Sequence, residues 1–218
     1  MIKLKYKSWN DITVDVFEKI KKINPNVYDD FDALNANVEL ISILCDVDED
    51  VISNLSCGEF TKLLKETSWV QDTPKVDIKD KYVINGKQYK LFLELRNMSM
   101  SQYIDFQQLM QDSEKNFKQL LACFLIPEPY NKYGDGYDVM DVIKDVGSLP
   151  ICDAKSIMVF FSLQYQSLTK AMLTYSIRKM KKARKAMKTQ EEREKIDLAI
   201  EEMKMAVSLV ESGDGFTL

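Results

Sequence analysis

The sequence predicts an α+β protein that is predominantly α-helical, with one small β-hairpin and a long antiparallel helical hairpin near the C-terminal end. Apolar residues recur mainly at helical spacing, which is typical of amphipathic helices. Only 7 Gly and 5 Pro occur in 218 residues, so regular elements are long and loops are few. One dipeptide, Asn85-Gly86, lies between two segments of strand-forming residues, as in a tight hairpin turn.

The N-terminal part is expected to begin with a short edge strand over residues 2–7, where Ile, Leu and Tyr alternate with lysines. Capping residues and apolar stripes then predict helices at about 13–23, 30–45, a short stretch after 48, and 56–73. Thr13 is the expected N-cap of the first of these helices, and Ser56 forms a capping box with Glu59 at the start of the last.

The clearest β signal is the segment Lys81–Phe92, which predicts two strands joined by a two-residue turn. A type I′ turn requires positive φ at both central positions, and Asn85 and Gly86 are residue types that adopt it. This hairpin is the strongest of the local predictions.

The rest of the chain is expected to be helical. One predicted helix begins at Ser99, and the others cover 117–125, 138–146, 153–188 and 189–213. A 36-residue helix over 153–188 would be roughly 54 Å long, more than the width of a small domain. Thr189 and Glu192 form a capping box for the last helix, so the two longest helices make an antiparallel hairpin.

The segment 127–137 contains two Pro and two Gly and is the predicted boundary between two parts of the chain. Residues 1–128 would hold the shorter helices with the β-hairpin, and residues 129–218 would hold the long helical hairpin. The sequence is also compatible with packing of the two parts as one unit.

The composition excludes several kinds of catalytic site, because the chain contains no histidine. Ser-His and Cys-His nucleophiles, an imidazole general base and His-ligated metals are therefore absent. Four cysteines without a CxxC pair predict small buried hydrophobic side chains rather than disulfides or a zinc site. We expect no enzymatic activity and no cofactor.

Asp46, Asp48 and Asp50 alternate as the first ligands of an EF-hand loop do. Val51 and Cys57, however, stand where that loop requires Gly and Glu. We therefore expect a solvated helix junction, with Asp48 as a cap, and no metal site.

The first five residues lack the apolar core of a signal peptide, and no strongly apolar run is long enough to span a bilayer. The expected location is a cytoplasm, with no membrane contact.

The segment 178–188 carries seven basic residues and no acidic one. The candidate contact residues in it are Arg178, Lys179, Lys181, Lys182, Arg184 and Lys185. They could bind a phosphate backbone, or they could pair with the six acidic residues of segment 189–202 within or between subunits. Charge pairing is favoured because no aromatic residue is interleaved for base stacking.

Aromatic residues give a second set of candidate contacts. Phe161 and Tyr165 lie on the predicted long helix, and Phe216 lies in the short tail after Gly213. Because a helix longer than its own domain buries its apolar stripe against another chain, we expect Phe161 and Tyr165 at a subunit contact. We expect a neighbouring subunit to hold Phe216 as well. Interaction is the class of function that the residues favour.

Three segments carry a resemblance to a known group of proteins. They are Ser-Trp-Asn-Asp-Ile-Thr-Val-Asp-Val-Phe-Glu-Lys-Ile at 8–20, Leu-Arg-Asn-Met-Ser-Met-Ser-Gln-Tyr-Ile-Asp-Phe at 95–106, and Leu-Leu-Ala-Cys-Phe-Leu-Ile-Pro at 120–127. Over about residues 8–165 the chain resembles small tailed-bacteriophage proteins, including those of the crAss-like phages of Bacteroidetes. In that group a capped helix after a Trp-containing turn and a Tyr-Ile-Asp helix precede an apolar helix that ends at Pro.

The resemblance implies a phage morphogenesis protein without active-site residues. Such a protein is either a virion subunit of the neck and tail rings below the portal or a tail assembly chaperone that binds the tape-measure protein. A ring subunit would be a homo-oligomer with portal and other tail or neck proteins as partners, located in the virion and, during assembly, in the host cytoplasm. A nucleic-acid-binding protein that uses segment 178–188 is the alternative from another class.

Overall fold

The computed structural model describes residues 2–23, 30–75, 77–187 and 189–212, with Asp30 and 209–212 described by their backbone alone. The chain divides into two compact units. The first unit comprises residues 1–94 and 98–157, and the second comprises residues 95–97 and 158–218. The predicted boundary at 128/129 lies inside the first unit. The two units instead meet in sequence at 157/158, inside a long helix.

The helices of the first unit follow the predicted pattern closely. They are α1 (Val14–Lys22), α2 (Asp30–Cys45), α3 (Glu49–Ser53), α4 (Cys57–Glu66), α5 (Met100–Leu109), α6 (Phe117–Phe124) and α7 (Val139–Val146). The Thr13 hydroxyl accepts a hydrogen bond from the backbone of Val16, and the capping box of Ser56 and Glu59 is formed in both directions. The predicted N-caps of α1 and α4 are therefore confirmed.

The hairpin prediction is also confirmed, with strands β1 (Lys81–Ile84) and β2 (Lys87–Leu91). Asn85 and Gly86 have φ angles of 51° and 76°, as a type I′ turn requires. One face of the hairpin is buried and supplies core side chains from both strands: Tyr82, Ile84, Tyr89 and Leu91.

A third strand, β3 (Leu125–Pro127), extends this hairpin to an antiparallel sheet of order β1-β2-β3. The sequence-based helix over 117–125 was wrong at its end, because Leu125 pairs with Leu91 of β2. The run from Leu120 to Ile126 is buried throughout, so its hydrophobicity has no period that separates helix from strand.

The predicted edge strand at residues 2–7 is not formed. Instead, the backbone N–H groups of Lys5 and Tyr6 donate to the carbonyl of Leu44 at 3.0 and 3.2 Å, at the end of α2. Leu4 is buried while lysines on either side are exposed, which accounts for the alternating pattern. Alternation reports which side chains face the core, but it does not supply a partner strand.

Helix α8 (Ile151–Ala186) begins in the first unit and continues through the second. Its start lies two residues before the predicted Asp153, because the chain there is held against the start of α1. The Val14 N–H donates to the Leu149 carbonyl at 2.9 Å, and the Ile151 N–H donates to the Ile12 carbonyl at 2.8 Å.

The second unit is built around the remainder of α8 and α9 (Gln190–Ser212), which pack as a long helix pair. This confirms the predicted C-terminal hairpin and, with the small sheet, the predominantly helical α+β class. The predicted stop at Gly213 lies outside the described residues. Within the part of the chain that is described, no helix has the length and apolar character needed to cross a membrane.

Candidate interaction surface on the helical hairpin

The turn of the hairpin is closed by side chains on both sides. Arg193 donates from Nε and Nη2 to the carbonyl of Met187, at 3.2 and 2.9 Å, just after the end of α8. A cation at this position satisfies a terminal carbonyl and lies at the negative end of the helix dipole. Thr189 and Glu192 exchange two hydrogen bonds of 3.3 Å, so the predicted capping box of α9 is confirmed.

One basic residue of the run pairs across the hairpin. Arg184 Nε lies 2.6 Å from Asp197 Oδ1, and both side chains are half exposed. Met180 lies four residues before Arg184 and Ile177 lies seven residues before it, and both side chains are half buried. These positions mark the side of α8 that faces α9.

Four other bases lie on a different side of α8. Arg178, Lys181, Lys182 and Lys185 have the spacing i, i+3, i+4 and i+7, which places them along one helix face over about two turns. All four are exposed, and none forms an ion pair with a residue that the structure describes. We call these four residues the outer face of α8.

An exposed aromatic residue continues the basic surface toward the middle of α8. Tyr175 is 64% exposed, and the Lys179 ammonium lies 5.8 Å from the centre of its ring. Met172, one turn further back, is also exposed. No aromatic residue lies within the basic segment 178–188, but Tyr175 lies three residues before it.

The surface of α9 turned away from α8 is both acidic and apolar. Leu198 and Met205 are 65% and 61% exposed, and seven residues is nearly two full turns, so they share a face. Ile200, which is 4% exposed, lies on the covered side. The outer face of α9 comprises Leu198 and Met205 with the exposed acids Glu191, Glu194, Glu201 and Glu202.

The sequence-based prediction missed Leu198 and Met205. The spacing of α9 predicts a stripe of Ile196, Ile200, Met203, Val207 and Val210. Of these, Ile200 is buried and Ile196, Met203 and Val207 are half buried, whereas the side chain of Val210 lies outside the described residues. The available signal was a second pair of apolar residues, seven apart and off that stripe.

The aromatic candidates have different environments. Phe161 is 2% exposed and contacts Phe160 edge to face at 5.1 Å, so its side chain is already covered within this chain. Tyr165 is half buried. Phe216 lies outside the described residues. Exposure therefore favours Tyr175 over Phe161 as an aromatic contact residue.

The first unit contains a polar cluster that the sequence did not reveal. The buried carboxylate of Asp145 on α7 accepts hydrogen bonds from Tyr89 Oη at 2.5 Å, Lys87 Nζ at 2.7 Å and Asn85 Nδ2 at 3.0 Å. Burial alone would raise the pKa of Asp145, but these hydrogen bonds outweigh it and hold the pKa below its usual value. All three donors belong to the β-hairpin, so the cluster attaches the hairpin to α7 and has a structural role.

For three of the four thiols, burial is the strongest influence on the pKa. Burial raises the pKa of Cys123 to about 12 and also raises the pKa of Cys45 and Cys152. All four cysteines are free, but Cys57 is exposed, so the expectation of buried thiols is wrong for that residue.

The three alternating aspartates do not gather into a cation site. Asp46 pairs with Lys5 at 2.7 Å, and Asp48 occupies the N-cap position of α3 without making a capping hydrogen bond. Among the described residues, no group of three or more acidic or thiol side chains is placed to hold a metal ion.

The described part of the helical hairpin therefore combines exposed charges with large exposed apolar side chains. Comparisons of the chain with protein-family models, with curated proteins and with solved structures found no match. The chain's own residues are thus the basis for a functional proposal.

Proposed function

We propose that this protein is a non-catalytic structural subunit of a tailed bacteriophage, which assembles into a homo-oligomeric ring in the neck or tail near the portal. The observation that carries the proposal is the surface of the hairpin. Leu198 and Met205 on α9, and Met172 and Tyr175 on α8, are all more than half exposed. Large exposed apolar side chains next to charged residues are typical of protein–protein contact surfaces.

The state of one buried carboxylate and of three thiols supports a non-catalytic role. The buried carboxylate of Asp145 is satisfied by three donors, and the thiols of Cys45, Cys123 and Cys152 have raised pKa values. A nucleophile or general base would need the opposite, a reactive group poised near neutral pH in an accessible site.

The location in a phage particle rests on the resemblance of residues 8–165 to small tailed-phage proteins. Mass spectrometry of purified virions of the phage that carries the gene tests it. The protein should be present in stoichiometric amounts with portal and tail proteins. Abundance in infected cells together with absence from virions would contradict a virion subunit and favour a tail assembly chaperone bound to the tape-measure protein.

Nucleic-acid binding is the second candidate function, and the exposed outer face of α8 favours it, because its bases pair with no acid among the described residues. Arg178, Lys181, Lys182 and Lys185 form an exposed basic stripe about 10 Å long, which suits a phosphate backbone. Replacing these four bases with Gln tests it. Loss of DNA retention with intact assembly supports this function, and unchanged retention with impaired assembly rejects it.

A further inference from the structure

The two outer faces of the hairpin are complementary in charge. The outer face of α8 carries four bases and no acid, whereas the outer face of α9 carries four glutamates around Leu198 and Met205. Within α9, Lys195 pairs with Glu191 at 2.7 Å and Lys204 pairs with Glu201 at 2.5 Å. These pairs are largely exposed and exchange partners at little cost.

The two faces also match in their positions along the hairpin. Counted along the sequence from position 188, Lys185 and Glu191 are each three residues away, and Lys182 and Glu194 are each six residues away. Two hairpins placed side by side in the same orientation therefore bring these opposite charges to similar heights.

Contacts between identical faces are disfavoured. Two outer faces of α8 would bring eight bases together, and two outer faces of α9 would bring eight glutamates together. Like charges in an interface cost several kcal/mol, so they select against a symmetric dimer through either face. A contact between unlike faces has no such cost.

We infer that the outer face of α8 in one copy binds the outer face of α9 in the next copy. The two faces are distinct surfaces of one hairpin, because Arg184 and Asp197 occupy the sides on which α8 and α9 meet. A contact between distinct surfaces repeats head to tail and closes into a ring when the rotation between copies divides a full turn. The inference rests on the proposed function, since it names the contact by which that ring forms.

Two charge-reversed variants of the full chain test the contact. The first replaces the bases of the outer face of α8 with Glu: Arg178→Glu, Lys181→Glu, Lys182→Glu and Lys185→Glu. The second replaces the acids of the outer face of α9 with Lys: Glu191→Lys, Glu194→Lys, Glu201→Lys and Glu202→Lys. The first then has two acidic faces, and the second has two basic faces.

Each variant alone should raise the dissociation constant for self-assembly by about 100-fold or more. An equal mixture of the two should assemble again, with the variants alternating, because every contact then joins an acidic face to a basic one. A chain that carries both sets of substitutions should assemble by itself. Sedimentation velocity at several concentrations measures all four cases.

Three results would overturn the inference in distinguishable ways. If both variants assemble as the unsubstituted chain does, the ring stands but its contact lies elsewhere. If the unsubstituted chain remains monomeric at every concentration, the proposed function fails as well. If the first variant assembles normally but no longer binds duplex DNA, the outer face of α8 serves nucleic acid.

Controls separate charge and folding effects from the contact itself. The same charge change on exposed lysines of the first unit, with Lys3, Lys22, Lys62 and Lys65 replaced by Glu, should leave assembly unchanged. Circular dichroism checks the helix content of every variant. If the second variant is unfolded, the corresponding Glu→Gln set avoids new repulsion with Lys195 and Lys204 and should still weaken assembly about 10-fold.

Discussion

Arg184 and Asp197 join α8 to α9 through an ion pair of 2.6 Å that crosses the C-terminal hairpin. The pair identifies the side on which the two helices meet. It also separates Arg184 from the other bases of the run, because Arg178, Lys181, Lys182 and Lys185 are left on the outer face of α8. One run of basic residues thus has two uses, an internal contact and an exposed surface.

The ion pair of Arg184 and Asp197 should contribute little to stability, and the effects of substituting its two residues should be coupled. Arg184→Gln and Asp197→Asn should each lower the free energy of unfolding by about 0.5 kcal/mol, because half-exposed ion pairs contribute little. A double-mutant cycle should give a coupling of about 0.2–1 kcal/mol that decreases in high salt. Additive effects of the two substitutions would contradict a direct pair.

The closure of the turn should depend on Arg193. Replacing Arg193 with Met removes both hydrogen bonds to the Met187 carbonyl and should lower stability by about 1 kcal/mol. Hydrogen exchange should accelerate in the last turn of α8. Lys195→Met is the matched control, since it removes a charge of α9 that contacts Glu191 instead. Equal effects of the two substitutions would exclude a specific role for Arg193.

The cluster around Asp145 should produce an acid-dependent loss of stability. Because the folded pKa of Asp145 lies below its usual value, the unfolded state binds more protons at low pH. The stabilisation that Asp145 provides to the folded state is fully present above about pH 4, and it is lost as the pH falls toward the folded pKa of Asp145. Asp145→Asn should be about 1–3 kcal/mol less stable at pH 7, with the difference decreasing below about pH 4.

Asp141→Asn is the control for this prediction, because Asp141 lies on the same helix but is 63% exposed. Its effect at pH 7 should stay within about 0.5 kcal/mol. Urea unfolding at pH 7 and pH 3 measures both variants. A difference between Asp145→Asn and the unsubstituted chain that is the same at both pH values would contradict the predicted linkage.

A side chain at Gly86 should destabilise the β-hairpin turn. Its φ of 76° is strained for an L residue, so Gly86→Ala should cost about 1 kcal/mol although a Cβ there meets no atom within 4 Å. Gly58 in α4 also has open space around a Cβ, but it has a helical conformation. Gly58→Ala should therefore be neutral or stabilising by up to about 1 kcal/mol. Thermal unfolding compares the two, and equal effects would exclude conformational strain at Gly86.

Local signals in the sequence predicted most of the fold. Caps such as Thr13 and Ser56 act on backbone groups a few residues away, and the Asn85-Gly86 turn is equally local. The strand β3 was missed because its pairing with β2 joins segments more than 30 residues apart. A uniformly buried segment carries no periodic signal of that pairing.

Gln102 shows the same limit at a single residue. Its backbone N–H donates to the Ser99 hydroxyl at 3.2 Å, a local contact at the start of α5. Its side chain, however, is buried and donates to the Cys123 carbonyl at 2.7 Å, at the end of α6. Nothing local in the sequence indicates this contact, because it depends on the packing of α5 against α6.

The candidate surface was predicted in part for a similar reason. The basic run is visible in the sequence, but which base turns toward α9 depends on the packing of the hairpin, which assigns Arg184 to Asp197. The apolar part of the surface needed the structure. Leu198 and Met205 are recognised as exposed only when Ile200 is seen on the covered side.

Electron microscopy of the purified full chain at assembling concentrations tests the central claim most directly. The account predicts closed rings of a single rotational symmetry, in which the α8–α9 hairpins of neighbouring copies lie side by side in the same orientation. Particles with the mass of one chain at every concentration, or closed dimers related by a two-fold axis through the hairpin, would contradict it.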